Sequence, residues 1–267
     1  MTGRPQRDMW SGAAAYENFV GRWSRLVAPQ FLAWLAAPLG GAWLDVGCGS
    51  GALTEAILVT EDPRSVLGID PSPAFVTFAA ERTTDERATI AVGGAEEIEA
   101  ATGTFDVVVS GLVLNFVPDP SQAVREFARV VRPGGRVGVY VWDYAAGMRM
   151  LRLFWDAATA LDPAAAQFDE GRRFSICQPD RLRELFEQAG LSHVEHQAID
   201  VPTQWPDFDA FWTPFLGGTG SAPAYVASLS GDQRVALRER LRATVPAEND
   251  GSVRMLARAW AVKGRLL

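Results

Sequence analysis

Lysine is almost missing from this chain: Lys263 is the one lysine in 267 residues, beside two histidines (His193 and His196) and two cysteines (Cys48 and Cys177). With so little lysine, a Schiff base or a lysine general base has almost nothing to draw on. Both histidines lie in one short segment, which leaves a histidine-based triad few places to form. Two cysteines cannot build a disulfide framework and no C-x-x-C pair occurs, so a reducing cytoplasm is the expected compartment. No ligand-spaced cluster of His, Cys, Asp or Glu appears, and no metal is expected. No apolar run is long enough to suggest a bilayer span, and Met1–Asp8 lacks the apolar core of a secretion signal.

A formal net charge of −7 lacks the basic footprint of a nucleic-acid binder. Hydrophobic residues at 48% and charged residues at 21% suit a soluble globular chain rather than a disordered or membrane one, and no membrane partner is expected. The length fits one large α/β domain with insertions, or two small domains, and a single domain is expected. Neither monomer nor homodimer is favoured by composition.

Apolar strand-like runs alternate with helical patterns, which predicts a largely parallel sheet covered on both faces. The strands are expected at Ala42–Val46, Val66–Asp70, Thr89–Val92, Phe105–Ser110, Arg136–Trp142, Val194–Val201 and Val253–Val262. Helices are expected at Ala52–Val59, Pro73–Arg82, Gln122–Val131 and Arg181–Gln188, with an aromatic-rich amphipathic helix over Tyr16–Ala37. Pro133-Gly134-Gly135 reads as the turn that launches the fifth strand. This divides the chain into a helical cap (1–40), a core (41–142) and two insertions (143–178 and 205–250).

Three glycines at alternate positions, Gly47, Gly49 and Gly51, follow the first strand in Leu44-Asp45-Val46-Gly47-Cys48-Gly49-Ser50-Gly51. They admit a ligand against bare backbone, at the amino end of the next helix. The spacing departs from the G-x-G-x-x-G that wraps a pyrophosphate. Asp45 adds negative charge, so a ligand with a cationic part fits better; S-adenosylmethionine, with an ammonium and a sulfonium, is one.

The glycine loop, Gly68-Ile69-Asp70, Phe105–Ser110 and Arg129-Val130-Val131-Arg132-Pro133-Gly134-Gly135 occur in that order. Together they resemble the class I S-adenosylmethionine-dependent methyltransferases, of the group with UbiE-like and small-molecule enzymes. The resemblance covers Leu44 to Trp142 well and the flanks only by layout. It implies a Rossmann-like seven-stranded sheet, mostly parallel, with helices on both faces, an antiparallel last strand inserted beside the fifth, and helical lids. It implies S-adenosylmethionine as cofactor and S-adenosylhomocysteine as product. Gly47, Cys48, Gly49 and Gly51 would hold the methionine end, and Asp45 would either face its ammonium or brace the loop. Asp70 would take the ribose hydroxyls, with Pro71 and Ser72 beside the adenosine.

Relatives often read Gly-Asp-Ala-Glu after the third strand; here Gly94 replaces that aspartate, leaving Ala95 and Glu96 as candidates for the adenine. Relatives also commonly carry histidines where Asn115 and Phe116 stand, so an obvious base is gone. Ser110 and Gly111 are candidates for backbone contacts to the cofactor. Arg22 is the candidate for its carboxylate, and Tyr16 for a contact near the sulfonium. Candidates for the chemistry are Asp143, Tyr144, Asn115 and Tyr16, each with a structural alternative as cap or packing residue. The aromatics of the insertions suggest a lid over an apolar acceptor, with Trp142, Phe154, Phe208, Trp212 and Phe215 as candidate substrate contacts. Methyl transfer to a small, largely apolar molecule, chiefly by proximity and orientation, is the expected activity. A non-catalytic cofactor-binding protein, or an enzyme of another reaction type, is the alternative.

Overall fold

Five successive buried residues, Ala42-Trp43-Leu44-Asp45-Val46, make β1, a strand covered on both faces as parallel strands usually are. The computed structural model describes residues 21–217 and 220–267. Helix α1 (Arg22–Leu35) precedes β1, and α2 (Ala52–Thr60), β2 (Ser65–Asp70), α3 (Pro73–Arg82), β3 (Ala88–Val92) and β4 (Phe105–Gly111) follow. Next come α4 (Pro120–Val130) and β5 (Val131–Trp142). Between β5 and β6 (Ser192–Trp205) lie α5 (Arg149–Leu161), the short α6 (Glu170–Arg173) and α7 (Pro179–Gln188). Between β6 and β7 (Val253–Arg265) lie α8 (Phe208–Trp212), α9 (Ser221–Ser228) and α10 (Gly231–Thr244).

The seven strands order as β3-β2-β1-β4-β5-β7-β6. Strands β1 to β5 pair in parallel, and β7 runs antiparallel to both β5 and β6. The expected last strand beside the fifth is therefore present, and it also carries the whole ladder of β6, which pairs with no other strand. Several boundaries differ from expectation. Asp119 caps α4 by accepting from the Gln122 amide, and Pro120 with its fixed φ opens the helix two residues early. Val131 already belongs to β5, so Pro133-Gly134-Gly135 stands within that strand as an irregularity before regular pairing resumes at Arg136. Strand β6 runs on to Trp205, past the expected end at Val201.

Helix α1 covers one face of β5, β6 and β7. Gly138 on β5 lets it approach: a Cβ there would stand 2.8 Å from Phe31 and 2.9 Å from Leu35. The lone lysine closes the far end of α1, Lys263 Nζ donating to the Trp34 carbonyl at 2.9 Å and lying over that residue's ring. Trp23, at the amino end of α1, meets Trp205 edge to face at 5.5 Å.

The two insertions build a common aromatic core. Phe154 of α5 stacks on Phe215 at 4.6 Å with planes 12° apart, and Trp155 packs on Tyr225 at 5.7 Å. Phe211 bridges Trp205, Phe208 and Phe215, while Trp212 also packs on Phe215. Glu170 is buried among them and accepts from the Trp155 indole. Burial, as the largest influence, pushes its carboxyl up to about 7.

Candidate functional site

The carboxyl ends of β1, β2, β4 and β5 open into one cavity of about 320 Å³, where open parallel sheets bind ligands. Its wall takes Asp45, Gly47, Cys48, Gly49 and Ser50 from the β1–α2 turn, and Asp70, Pro71, Ser72 and Phe75 from the β2–α3 turn. Gly111, Leu112, Val113 and Phe116 close the opposite side, with Tyr140 from β5 and Ser24 from α1.

The turn is tied down by backbone. The amides of Gly47 and Cys48 both donate to the Ile69 carbonyl, at 2.7 and 2.9 Å, and that of Gly51 to Cys48 at 2.8 Å. Gly47 has φ +73°, and a Cβ there would sit 2.5 Å from the Val113 methyls. A side chain at this position would therefore collide with the opposite wall as well as adopt a strained φ.

Two carboxylates flank the glycines. Asp45 Oδ2 accepts from the Thr54 hydroxyl at 2.7 Å, whereas its buried Oδ1 has no hydrogen-bond partner. Burial, only partly offset by that bond, pushes the Asp45 carboxyl up to about 7. Asp70 Oδ2 accepts from the Gly49 amide at 3.1 Å and Oδ1 from Ser72 at 2.9 Å. Those bonds aim it across the loop and leave each oxygen a lone pair; burial raises its pKa despite them. Burial and then the two carboxylates push the Cys48 thiol up as well, so it is no nucleophile.

An orphaned buried carboxylate oxygen is costly unless something cationic arrives. The amino-acid ammonium of S-adenosylmethionine fits that oxygen, and Asp70 fits a pair of ribose hydroxyls. The donor set is compatible with this cofactor.

The structure thus brings Asp45, Gly47, Cys48, Gly49, Asp70, Pro71, Ser72 and Gly111 around one cavity, with Gly51 opening α2 immediately beyond. Other candidates stand elsewhere. Ser110 donates its hydroxyl to the Val46 carbonyl at 2.8 Å, fastening β4 to the turn from behind. Gly94, Ala95 and Glu96 do not line the cavity; Glu96 accepts from the Asp119 amide at 2.9 Å. The Arg22 guanidinium rests over the rings of Trp23 and Trp205, 5.1 and 5.6 Å from their centroids. Asp143 accepts from the Ala146 amide at 3.0 Å, holding the turn after β5, and Tyr144 packs on Phe174 at 5.5 Å. Asn115 is buried with neither carboxamide atom bonded. Tyr16 lies outside the described residues.

The five aromatics expected to touch substrate are all buried, and none lines the cavity. Phe154, Phe208, Trp212 and Phe215 form the insertions' core, because helices this short need their aromatics to bury one another. Trp142 ends β5 with its side chain enclosed. Thr54, Ser24, Phe116 and Tyr140 were not foreseen as site residues. Thr54 stands in the first turn of α2, a polar position on an otherwise apolar inner face, and that was its only sequence signal.

Residues 44–139 match a family model described as a methyltransferase domain. The chain is 32% identical over 187 residues to the 2-methyl-6-phytyl-1,4-hydroquinone methyltransferase of Synechocystis, an alignment covering 68% of this chain and 57% of that protein. It is 30% identical to the demethylmenaquinone methyltransferase of Halalkalibacterium halodurans over 58% of this chain and 69% of that one. The first of these relatives is thus spanned over little more than half of its length. In fold the chain resembles the crystal structure of the YcgJ protein of Bacillus subtilis, with TM-score 0.59 and 18% identity over 92% of this chain and 98% of that one.

Proposed function

This chain belongs to the class I S-adenosylmethionine-dependent methyltransferases, and we propose that it transfers a methyl group to a small, largely apolar organic acceptor. The observation that carries this reading is the pair Asp45 and Asp70 on either side of the glycine turn. One offers a bare buried oxygen to a cation and the other is held in place by two backbone amides. The two named relatives act on hydroquinone and demethylmenaquinone, as their names state, which supports an apolar ring compound as acceptor.

The cofactor, when bound, supplies an already activated methyl electrophile. The protein's part is then to align a nucleophile and exclude water. Leu112, Val113 and Phe116 give the cavity an apolar side for that purpose. Among the described residues, no histidine or lysine lines the cavity, so strong base catalysis has no evident carrier. Asp143, tied to its turn, positions the chain leaving β5. The reading favours an acceptor that is nucleophilic at working pH.

Calorimetry with S-adenosylhomocysteine, followed by assay of a small-molecule panel with methyl-labelled cofactor, tests this. Saturable binding and a labelled small-molecule product are expected. Failure to bind either form of the cofactor would overturn the reading, as would label appearing only in a transfer-RNA pool.

A further inference from the structure

Asp45 and Tyr140 share one face of the sheet, near its carboxyl edge. Asp45 on β1 is level with Val109 on β4, which is level with Gly138 on β5. Two residues further on, Gly111 is level with Tyr140. Side chains alternate along a strand, so Asp45, Gly111 and Tyr140 belong to the same face. Tyr140 is buried, its ring packed on Phe31 of α1 at 4.8 Å, and it lines the cofactor cavity. Its hydroxyl lies across Gly111, where a Cβ would stand 2.5 Å from the phenol oxygen. The Leu112 amide donates to the Tyr140 carbonyl at 2.7 Å and holds Leu112 at φ +62°, a conformation that side chains resist. A bare Gly111 and a bend at Leu112 thus clear the cavity wall for the phenol.

We propose that the Tyr140 hydroxyl donates to the carboxylate of the cofactor's amino-acid end, so that Asp45 and Tyr140 read the two charges of that end from one sheet face. The proposal rests on the proposed function and assigns a role that Arg22, lying over two tryptophan rings and off the cavity wall, does not fill. In an α-amino acid the ammonium and carboxylate share one carbon, so the group that meets the carboxylate must stand close to Asp45. Repulsion from Asp45 and Asp70 drives the carboxylate away from β2. Across the sheet the order runs β2, β1, β4, β5, and Tyr140 faces the cavity from the strand farthest from Asp70. Among the described residues no cationic side chain lines the cavity. The amides of Gly47, Cys48, Gly49 and Gly51 are all given to acceptors within the protein. The Ser24 hydroxyl, also on the wall, donates to the Gly21 carbonyl at 2.5 Å. A phenol can donate to one partner while accepting from another.

The test is calorimetry at pH 8, where Asp45 is ionised, with S-adenosylhomocysteine and with its decarboxylated analogue, which keeps the amine and lacks the carboxylate. Wild type is expected to bind S-adenosylhomocysteine at least tenfold more tightly than the analogue. Tyr140→Phe keeps the ring and removes the donor. It is expected to weaken S-adenosylhomocysteine about tenfold, as loss of a charge-assisted hydrogen bond does, and to leave the analogue's Kd within twofold. The unchanged analogue separates loss of a donor from loss of the fold. Equal weakening of both ligands in Tyr140→Phe, or a preference that this variant keeps and Arg22→Gln loses, would overturn the proposal. No binding of S-adenosylhomocysteine by wild type would overturn the proposed function instead.

Discussion

Thr54 gives its hydroxyl to one oxygen of Asp45 and leaves the other bare, 2.7 Å of contact on one side and none on the other. The threonine comes from the first turn of α2 and the aspartate from β1, so the bond fixes which oxygen the protein satisfies and which it leaves without a partner. A buried carboxylate with a free acceptor is a poor contributor to apo stability and a good receptor for a cation.

Replacing that charge separates the two effects. Asp45→Asn keeps the shape, and the hydrogen bond to a charged partner that it removes is worth about 1.5–3 kcal/mol. Cofactor affinity measured by calorimetry should fall by one to two orders of magnitude, while the melting temperature of the apo protein holds or rises. An unchanged Kd would remove Asp45 from the site.

The pH dependence has a definite sign. The Asp45 carboxyl lies near 7 in the folded protein against an ordinary 3.8, and Glu170 near 7 against 4.5. Between the ordinary and the raised values the folded state holds protons that the unfolded chain has released. Apo stability is thus fullest below about pH 4 as far as these groups are concerned, and is lost as pH rises through 7. Cofactor binding runs the other way, weakening as pH falls below 7 because Asp45 must be ionised to meet an ammonium. Thermal unfolding from pH 5 to 8, with and without S-adenosylhomocysteine, should show the ligand's stabilisation growing with pH. Asp45→Asn should flatten that growth.

Gly47 and Gly94 give a controlled comparison. Gly47→Ala combines a positive φ with a 2.5 Å collision against Val113, whereas a Cβ at Gly94 meets nothing within 4 Å. Strain of about 1–3 kcal/mol is expected for the first and a change within about 0.5 kcal/mol for the second. Denaturant titration measures both, and Gly47→Ala should also lose cofactor binding.

Asn115 buries a carboxamide whose two polar atoms are both unbonded. Replacing such a group by an apolar one of similar size is close to neutral or stabilising. Asn115→Leu should keep or raise the melting temperature. If the amide serves an acceptor, turnover should fall with the cofactor Kd unchanged; equal turnover would make it a purely structural residue.

Phe154→Ala removes one ring of the stacked pair with Phe215. A loss of about 3–5 kcal/mol is expected from the vacated core, read by denaturant unfolding. The cofactor Kd at low temperature should hold, because neither ring touches the cavity.

The parts that read well from sequence are those where one local pattern answers to one physical demand. β1 at Ala42–Val46 fell where expected, since a fully buried parallel strand reads as a nearly continuous apolar run, interrupted here by Asp45 alone and bounded by glycines. Asp70 ends β2 because a strand's carboxyl end is where a ligand is met. The insertions were harder. Phe154, Phe208, Trp212 and Phe215 show helical spacing whether they cover a ligand or one another, and periodicity does not tell the two apart. Phe116 and Phe174, whose rings meet edge to face, are 58 residues apart, and no local signal joins them. Thr54 had a place in the helix but no sign of its partner nine residues upstream.

Strand β7 is the last of the seven to leave the ribosome, yet it occupies an interior place between β5 and β6. Until it arrives, β5 presents a long unpaired margin and β6 has no neighbour to bond with at all. A nascent chain stalled before Val253 would carry two such margins along with the aromatics of both insertions. The closing step of folding is thus the threading of thirteen residues into a waiting gap, and conditions that delay it would favour aggregation.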